Sequence, residues 1–237
     1  MHSPSTSPDA RRSAVRSIAK RYHRAERAVS WLVALSVSGT FLLAFALADL
    51  LTALAVAAVL AVAVRAPVLR RRGTTRLRTD APPGAVVDEF ASPTPPPLAF
   101  QWGVADEVRP TADGTGGVYE VSSLLGLRSH SLAVETTVEA TGDDDGDDKR
   151  DDGGPVARVH VEGTLDGRQW GAYSVTVREA DGESPDETLV DVELLPRRRF
   201  GLRGVPQALV ADAYYADTLA AQGYAVVDRD ASFAASR

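Results

Sequence analysis

The chain has 237 residues, with 26 Lys+Arg against 32 Asp+Glu, 4 His and no Cys. That length allows one or two compact units, and the lack of Cys excludes disulfide scaffolds, thiolate metal sites and cysteine nucleophiles. The net charge of −6 is unevenly divided: residues 1–78 hold 13 basic and 3 acidic groups and residues 79–237 hold 13 and 29, so the two regions face different surroundings.

Residues 1–27 form a basic tail. Val15, Ile18, Tyr22, Ala25 and Val29 recur at spacings of 3 and 4 among Arg11, Arg12, Arg16, Lys20, Arg21, Arg24 and Arg27. This reads as an amphipathic helix lying on anionic lipid. From Ala28 to Val64 there are 37 residues with one charged group, Asp49. A single helix of that length would run roughly 55 Å, far beyond a hydrocarbon core of about 30 Å, so residues 28–69 are expected to form a two-span hairpin. The spans are Val29–Leu47 and Leu50–Leu69, with Arg65 snorkelling to the headgroups. The apolar run is too long for a signal peptide. Arg65, Arg70, Arg71, Arg72, Arg76 and Arg78 follow it, so the positive-inside bias puts both termini in the cytoplasm and Asp49 at the outer face of the cell membrane. That orientation accounts for the basic charge with the bilayer as partner and no nucleic acid. Ala53, Ala57 and Ala61 form a row of small residues that allows close helix contact.

Residues 74–233 read as a cytoplasmic α+β domain. The chain has 2 Lys against 24 Arg and 21 Asp against 11 Glu, a composition suited to the high-salt cytoplasm of a halophile. Much of the acid lies in Gly142–Gly154, GDDDGDDKRDDGG, expected as a disordered loop. It lacks the EF-hand spacing, so no metal site is assigned. Strands are expected where apolar residues alternate: Leu132–Val138, Ala157–Val161, Tyr173–Val177, Val190–Leu194 and, more weakly, Val118–Leu125, with Thr74–Thr79 and Phe100–Val108 as further strands. At Asp166-Gly167 a two-residue turn would set Val159 against Ser174, an apolar face against a polar one. A three-residue loop pairing Val159 with Tyr173 is therefore expected, with Gly167 in the left-handed region as a G1 bulge. Prolines lead into a helix at Ala85–Phe90, and PTPPP at 93–97 calls for extended chain. A longer helix runs from near Pro206 to Gln222, with Gly223 as its left-handed cap, Tyr224 folding back over it and an inward stripe of Leu209, Ala213, Ala216 and Leu219/Ala220. A short strand at Ala225–Val227 and Ser232–Phe233 closes the chain.

The opening TTRLRTDAPPGAVVDEFAS, a strand passing through a proline-started helix, and the closing RRFGLRGVPQALVADAYYADTLAAQGYAVVDR resemble the START/polyketide-cyclase superfamily (SRPBCC). The likeness covers residues 74–233 and implies a helix-grip fold, a curved antiparallel sheet of about 6–7 strands wrapped on the long C-terminal helix. It also implies a second short helix where this chain has its prolines. In such a fold Tyr119, Val121, Leu132, Val134, Val159, Tyr173, Val175, Val190 and Val192 would face Leu209, Ala213 and Ala216, either around a cavity for a lipid-like or apolar molecule or as filled core.

Chemistry is sparse. His160 and Glu162 share a strand face and form the one acid–base candidate, on the side opposite Val159 and Val161. His2, His23 and His130 lie near no site, and no nucleophile elbow, phosphate loop, dinucleotide fingerprint or histidine metal pair is present. Arg197, Arg198, Arg199 and Arg203 precede the long helix and suit an anionic headgroup or the inner leaflet. The expectation is a non-enzymatic, cofactor-free, membrane-anchored domain binding an apolar or lipid-like molecule. The alternatives are a filled structural or interaction module and a cyclase- or hydratase-like enzyme. The sequence carries no oligomeric signal.

Overall fold

The computed structural model describes residues 7–66, 69–123, 128–140, 156–180, 187–195, 199–202 and 204–235. The acidic run 142–154 lies outside them. Ser7 caps the first helix by accepting a hydrogen bond from the Ala10 amide (3.4 Å). No proline interrupts the helix after its first turn and Gly39 is carried without a break, so α1 (Pro8–Leu47) is one rod of 40 residues, about 60 Å long. The turn is made without Gly or Pro. Asp49 caps α2 (Leu50–Arg65), accepting from the Thr52 amide (2.9 Å) and hydroxyl (3.0 Å). α2 stops at Arg65, short of the expected Leu69. Ala66 precedes Pro67 and takes extended backbone (φ −58°, ψ 122°), as a residue before proline must.

Val33, Val37, Phe41 and Ala44 of α1 are half-buried, as are Ala57 and Leu60 of α2, while Ala53 is fully buried and Ala61 exposed. The small-residue row therefore contributes its first two members to the helix pair. The rest of this surface is bare, with Trp31 70% and Leu35 65% exposed. By length and composition α1 is able to cross a membrane; α2 is a shorter apolar helix.

The first half of α1 corrects the sequence reading. Val15 and Ala19 are fully buried and Ile18 nearly so, and the Tyr22 ring lies 4.3 Å from that of Phe100. The apolar stripe expected to lie on lipid is instead packed into the domain, and the helix runs from that core into its exposed apolar half without a joint. An apolar stripe binds either surface by the same physics, and sequence spacing does not distinguish them.

The remaining elements are β1 (Leu69–Thr79), α3 (Pro83–Ala91), a 3-10 turn (Pro96–Leu98), α4 (Ala99–Trp102), β2 (Glu107–Pro110), β3 (Gly116–Ser123), β4 (Arg128–Ala140), β5 (Ala157–Leu165), β6 (Arg168–Glu179), β7 (Thr188–Leu195), β8 (Arg199–Phe200), α5 (Gly204–Ala220) and β9 (Ala225–Ala235). Phe100–Val108 is thus not a strand but α4 and the start of β2. The proline run is extended at Pro95 (φ −64°, ψ 142°) but does not stay so, because Pro96 and Pro97 fit the first positions of a 3-10 turn. The nine strands form one antiparallel sheet in the order β2-β3-β4-β5-β6-β7-β1, with β9 on the far side of β1 and β8 continuing the line of β7. β9 pairs along β1 from Arg78 to Leu69, so the expected short closing strand is a full edge strand.

The β5–β6 hairpin has neither expected register. Leu165 pairs with Arg168 across a two-residue turn in which Asp166 (φ 48°) and Gly167 (φ 77°) are both left-handed, a type I′ turn. Farther along, Gly163 pairs with Gly171 and Thr164 with Gln169, so Trp170 is left over as a bulge. That one-residue shift sets Val159 opposite Val175 and restores apolar to apolar. The parity of the strands was correct; the bulge, not a longer loop, supplies it.

The inner face of the sheet carries Leu77, Tyr119, Leu132, Val134, Val159, Val161, Val175, Val177, Val190 and Val192, all buried. α3 lies across β4, β5 and β6. Val86 and Phe90 of α3, Leu98, Trp102, Val15 of α1 and Leu219 of α5 complete the same cluster. α5 packs mainly on α1 and β9. It ends in a Schellman cap at Gly223 (φ 96°), with the Tyr224 amide donating to the Leu219 carbonyl (3.1 Å) and the Gly223 amide to Ala220 (3.1 Å). As expected, Tyr224 folds back. It is buried, edge-on to Phe90, and its hydroxyl donates to Glu89 (2.6 Å).

Candidate functional site

Three places bring functional side chains together. The first is the inner face of the sheet, where the cavity was expected. Tyr119, Leu132, Val134, Val159, Val175, Val190 and Val192 are buried there, and Val121 and Tyr173 are half-buried. Their partners differ from the expected ones. Leu209 is 61% exposed, and Ala213 and Ala216 are exposed too. α5 is turned so that Ala208, Thr218 and Leu219 face inward, because its inner side must also seat Asp212 and Tyr215. Opposite the strands stand Val86, Phe90, Leu98 and Trp102, whose indole N–H donates to the Pro95 carbonyl (3.1 Å). The Tyr119 hydroxyl is buried there without a hydrogen-bond partner, and burial pushes its pKa up.

The second place is a polar cluster where α5 meets β1 and β9. Arg71 and Arg229 lie on the inward side of those strands four residues apart in register, and both donate to the same oxygen of Asp212, Arg71 at 2.6 Å. The Arg229 guanidinium lies 3.9 Å over the Tyr215 ring, a cation–π contact. The Tyr173 hydroxyl is pushed up to about 12 by burial and by Tyr215, with Arg71 and Arg229 opposing. Burial also raises Tyr215, against Arg229 and a side-chain hydrogen bond with Thr75. Tyr22 of α1 is raised by burial and by Glu26 beside it. Two guanidiniums on one carboxylate, each about one-fifth exposed, clamp α5 to the sheet edge. Sequence reading missed this site. Arg71 had been absorbed into the basic flank, and the remaining signal was an aspartate and two arginines inside otherwise apolar patterns. Arg76 and Arg78 of that flank likewise bond to Asp191 (2.8 Å) and Glu187 (3.5 Å).

The third place is a depression of about 290 Å³ on the outer face, lined by Glu135, Thr137, Glu139, His160, Glu162, Ala172, Tyr173 and Leu195. His160 and Glu162 fall on the polar side, as the alternation requires. The carboxylate nearest His160 is Glu139 of β4, 3.8 Å away and largely exposed. Glu162 stands opposite Glu135 in register. Among the described residues no three His, Asp or Glu side chains converge as a metal site.

His130 and His23 have structural roles, and His2 lies outside the described residues. His130 pairs with Asp166 (2.7 Å) beside the β5–β6 turn, and that hydrogen bond, with one from the Ser131 amide, lowers the Asp166 pKa. His23 bridges the Phe100 carbonyl (3.1 Å) and Glu26 (3.1 Å), tying α1 to α4. Arg197, Arg198 and Arg203 lie outside the described residues; the backbone of Arg199 pairs with Arg70 in β8.

No protein-family model matches the chain, and no curated protein is similar to it. Among solved structures it is similar to an uncharacterised protein from Rhizobium leguminosarum determined at 1.9 Å. Identity is 17% and the TM-score 0.33, over 64% of this chain and 95% of that one, a likeness too loose to carry a function.

Proposed function

We propose that the chain is a membrane-anchored, non-enzymatic domain of helix-grip type that works as a filled scaffold for interactions at the inner surface of the bilayer. The packing carries this reading. The face on which a START-like domain would hold its ligand is occupied by Val86, Phe90, Leu98, Trp102 and Val15. The strand order β2-β3-β4-β5-β6-β7-β1, with α3 and α4 between β1 and β2, supports the sheet order of that family, while α5 packs mainly on α1 and β9 and α3 takes the place across the strands. The turn and α4 stand where that family would place its second short helix.

Anchoring follows from the exposed apolar half of α1. Val15 shares a core with β1, so the two lie on one side of any membrane. If α1 crosses, the chain must cross back before Leu69. α2, about 24 Å long, then returns with Arg65 reaching the headgroups. The basic flanks put that shared side in the cytoplasm.

The absence of native Cys makes the test direct. A single Cys placed at Ala48 is expected to react with an impermeant maleimide on whole cells, and one at Ser92 only after permeabilisation. Reaction of both from the same side would sink the two-span reading. Native mass spectrometry of the whole protein separates scaffold from cup, and the scaffold predicts no co-purifying lipid mass.

A second reading, binding of an apolar molecule with a polar tip, is favoured by one observation, the buried Tyr119 hydroxyl with no partner.

A further inference from the structure

α1 and α5 run side by side in opposite directions. The Gln207 side-chain amide donates to the Ser30 hydroxyl (3.2 Å), and the Tyr214 ring lies 6.4 Å from that of Tyr22. Seven residues of α5 thus match eight of α1. This register fixes how far α5 rises toward the bilayer. Ser30 lies two residues into the apolar stretch that starts at Ala28, and Gly204 lies three residues farther out than Gln207. At 1.5 Å per residue the first turn of α5 ends about 8 Å inside the boundary where α1 turns apolar.

The chemistry of that turn matches the depth. Gly204–Ala211, GVPQALVA, carries no charge. By the same register Leu209 lies level with Ala28, at the boundary itself, and is 61% exposed; Leu202, beyond Gly204, is 46% exposed, and Trp31, level with Pro206, is 70% exposed. One turn lower the character changes. Asp212 is drawn inward to Arg71 and Arg229, Asp217 is exposed, and Arg24 and Arg27 of α1 face solvent at the height of lipid headgroups. An apolar helix turn flanked in sequence by Arg203 and followed by a charged girdle is the profile of an interfacial segment, which sinks roughly 5–10 Å into the headgroup and acyl boundary.

We propose that the N-terminal end of α5, through Leu202 and Leu209, inserts into the same leaflet that α1 enters, so that the domain rests on the bilayer at a second point. The occupant is lipid, because this surface continues at the same depth the bare apolar surface of the hairpin. The proposal rests on the reading of α1 as a span.

The test uses the full-length protein in vesicles of phosphatidylcholine and phosphatidylglycerol. Single cysteines at Leu35→Cys, Leu209→Cys and Asp217→Cys, all at exposed sites, carry an environment-sensitive fluorophore. The label at 209 is expected to emit between those at 35 and 217, with quenching by a headgroup-borne nitroxide and a reduced response to aqueous iodide. The label at 217 should be red-shifted and quenched by iodide. If 209 behaves like 217 while 35 behaves as lipid-buried, the second contact is overturned and the anchor stands. If 35 itself is quenched by iodide, both fall. If shielding at 209 disappears in nanodiscs holding one copy each, the occupant is a second copy of the chain and the proposal is wrong.

Discussion

Truncating Val15 to Ala tests whether the N-terminal half of α1 belongs to the domain or to the lipid surface. Val15 is 0% exposed and sits in the main core cluster. Removing two methyl groups forfeits about 1.6 kcal/mol of transfer free energy, and the cavity left between rigid elements brings the loss to about 2–3 kcal/mol. For a unit of this size that lowers the unfolding midpoint by about 5–10 °C. The assay is thermal unfolding of the whole protein in nanodiscs, followed by near-ultraviolet circular dichroism, with Leu98→Ala as a core control and Leu35→Ala as a lipid-facing one. Leu98 is 1% exposed and Leu35 65%. Val15→Ala should behave like Leu98→Ala in direction, while Leu35→Ala leaves the midpoint within about 1 °C. A Val15 variant indistinguishable from Leu35→Ala would refute the docking of α1 and remove the argument that α2 must cross back.

Tyr119→Phe deletes a buried hydroxyl that has no partner, so a gain of about 1 kcal/mol is expected in chemical denaturation; a loss would mean that the hydroxyl is satisfied by a bound molecule. Asp212→Asn, which leaves two guanidiniums facing each other, should cost about 2–3 kcal/mol, and the double variant with Arg71→Met should recover part of it in a double-mutant cycle. Tyr173 has its pKa raised to about 12 in the folded state, so above pH 10 the unfolded chain loses its proton first. The share of stability carried by Tyr173 is therefore intact below pH 10 and falls as pH rises toward 12, by about 1.4 kcal/mol per pH unit, measurable as the change with pH in the difference between the midpoints of the native protein and Tyr173→Phe. A difference flat through that range, or early ionisation of Tyr173, would contradict its burial.

What was legible in the sequence was periodicity and caps. The alternation of β5, β6 and β7 gave their faces correctly, and Gly223 followed by Tyr224 marked the helix end that the structure has. Both signals are local, since side-chain parity and left-handed φ belong to single residues and their neighbours. The misses share a different cause. The inward face of α5 was read from Leu209, Ala213 and Ala216 because they are apolar, but an inner polar cluster claimed that side of the helix and pushed them out. The stripe on α1 was correct as a stripe and misassigned in partner. In the β5–β6 hairpin the Trp170 bulge hid behind a turn dipeptide that admits two loop lengths. On the inner face, the inward parity of the strand residues follows from their alternation, whereas Val86, Phe90, Leu98 and Trp102, which fill the space before them, come from segments brought there only by tertiary packing.

The unbroken course of α1 has a consequence for biosynthesis. Its first half leaves the ribosome before the hairpin, and every strand follows after it. On the two-span proposal the hairpin is ready for insertion while Val15, Ile18 and Ala19 still wait for their partners, and the sheet then assembles against a helix already held at the membrane. Folding of the domain becomes a templated step on a fixed rod, with one end of its core in place from the start. A chain whose second apolar helix failed to return would leave that rod and the sheet on opposite sides of the bilayer, and the domain would never close.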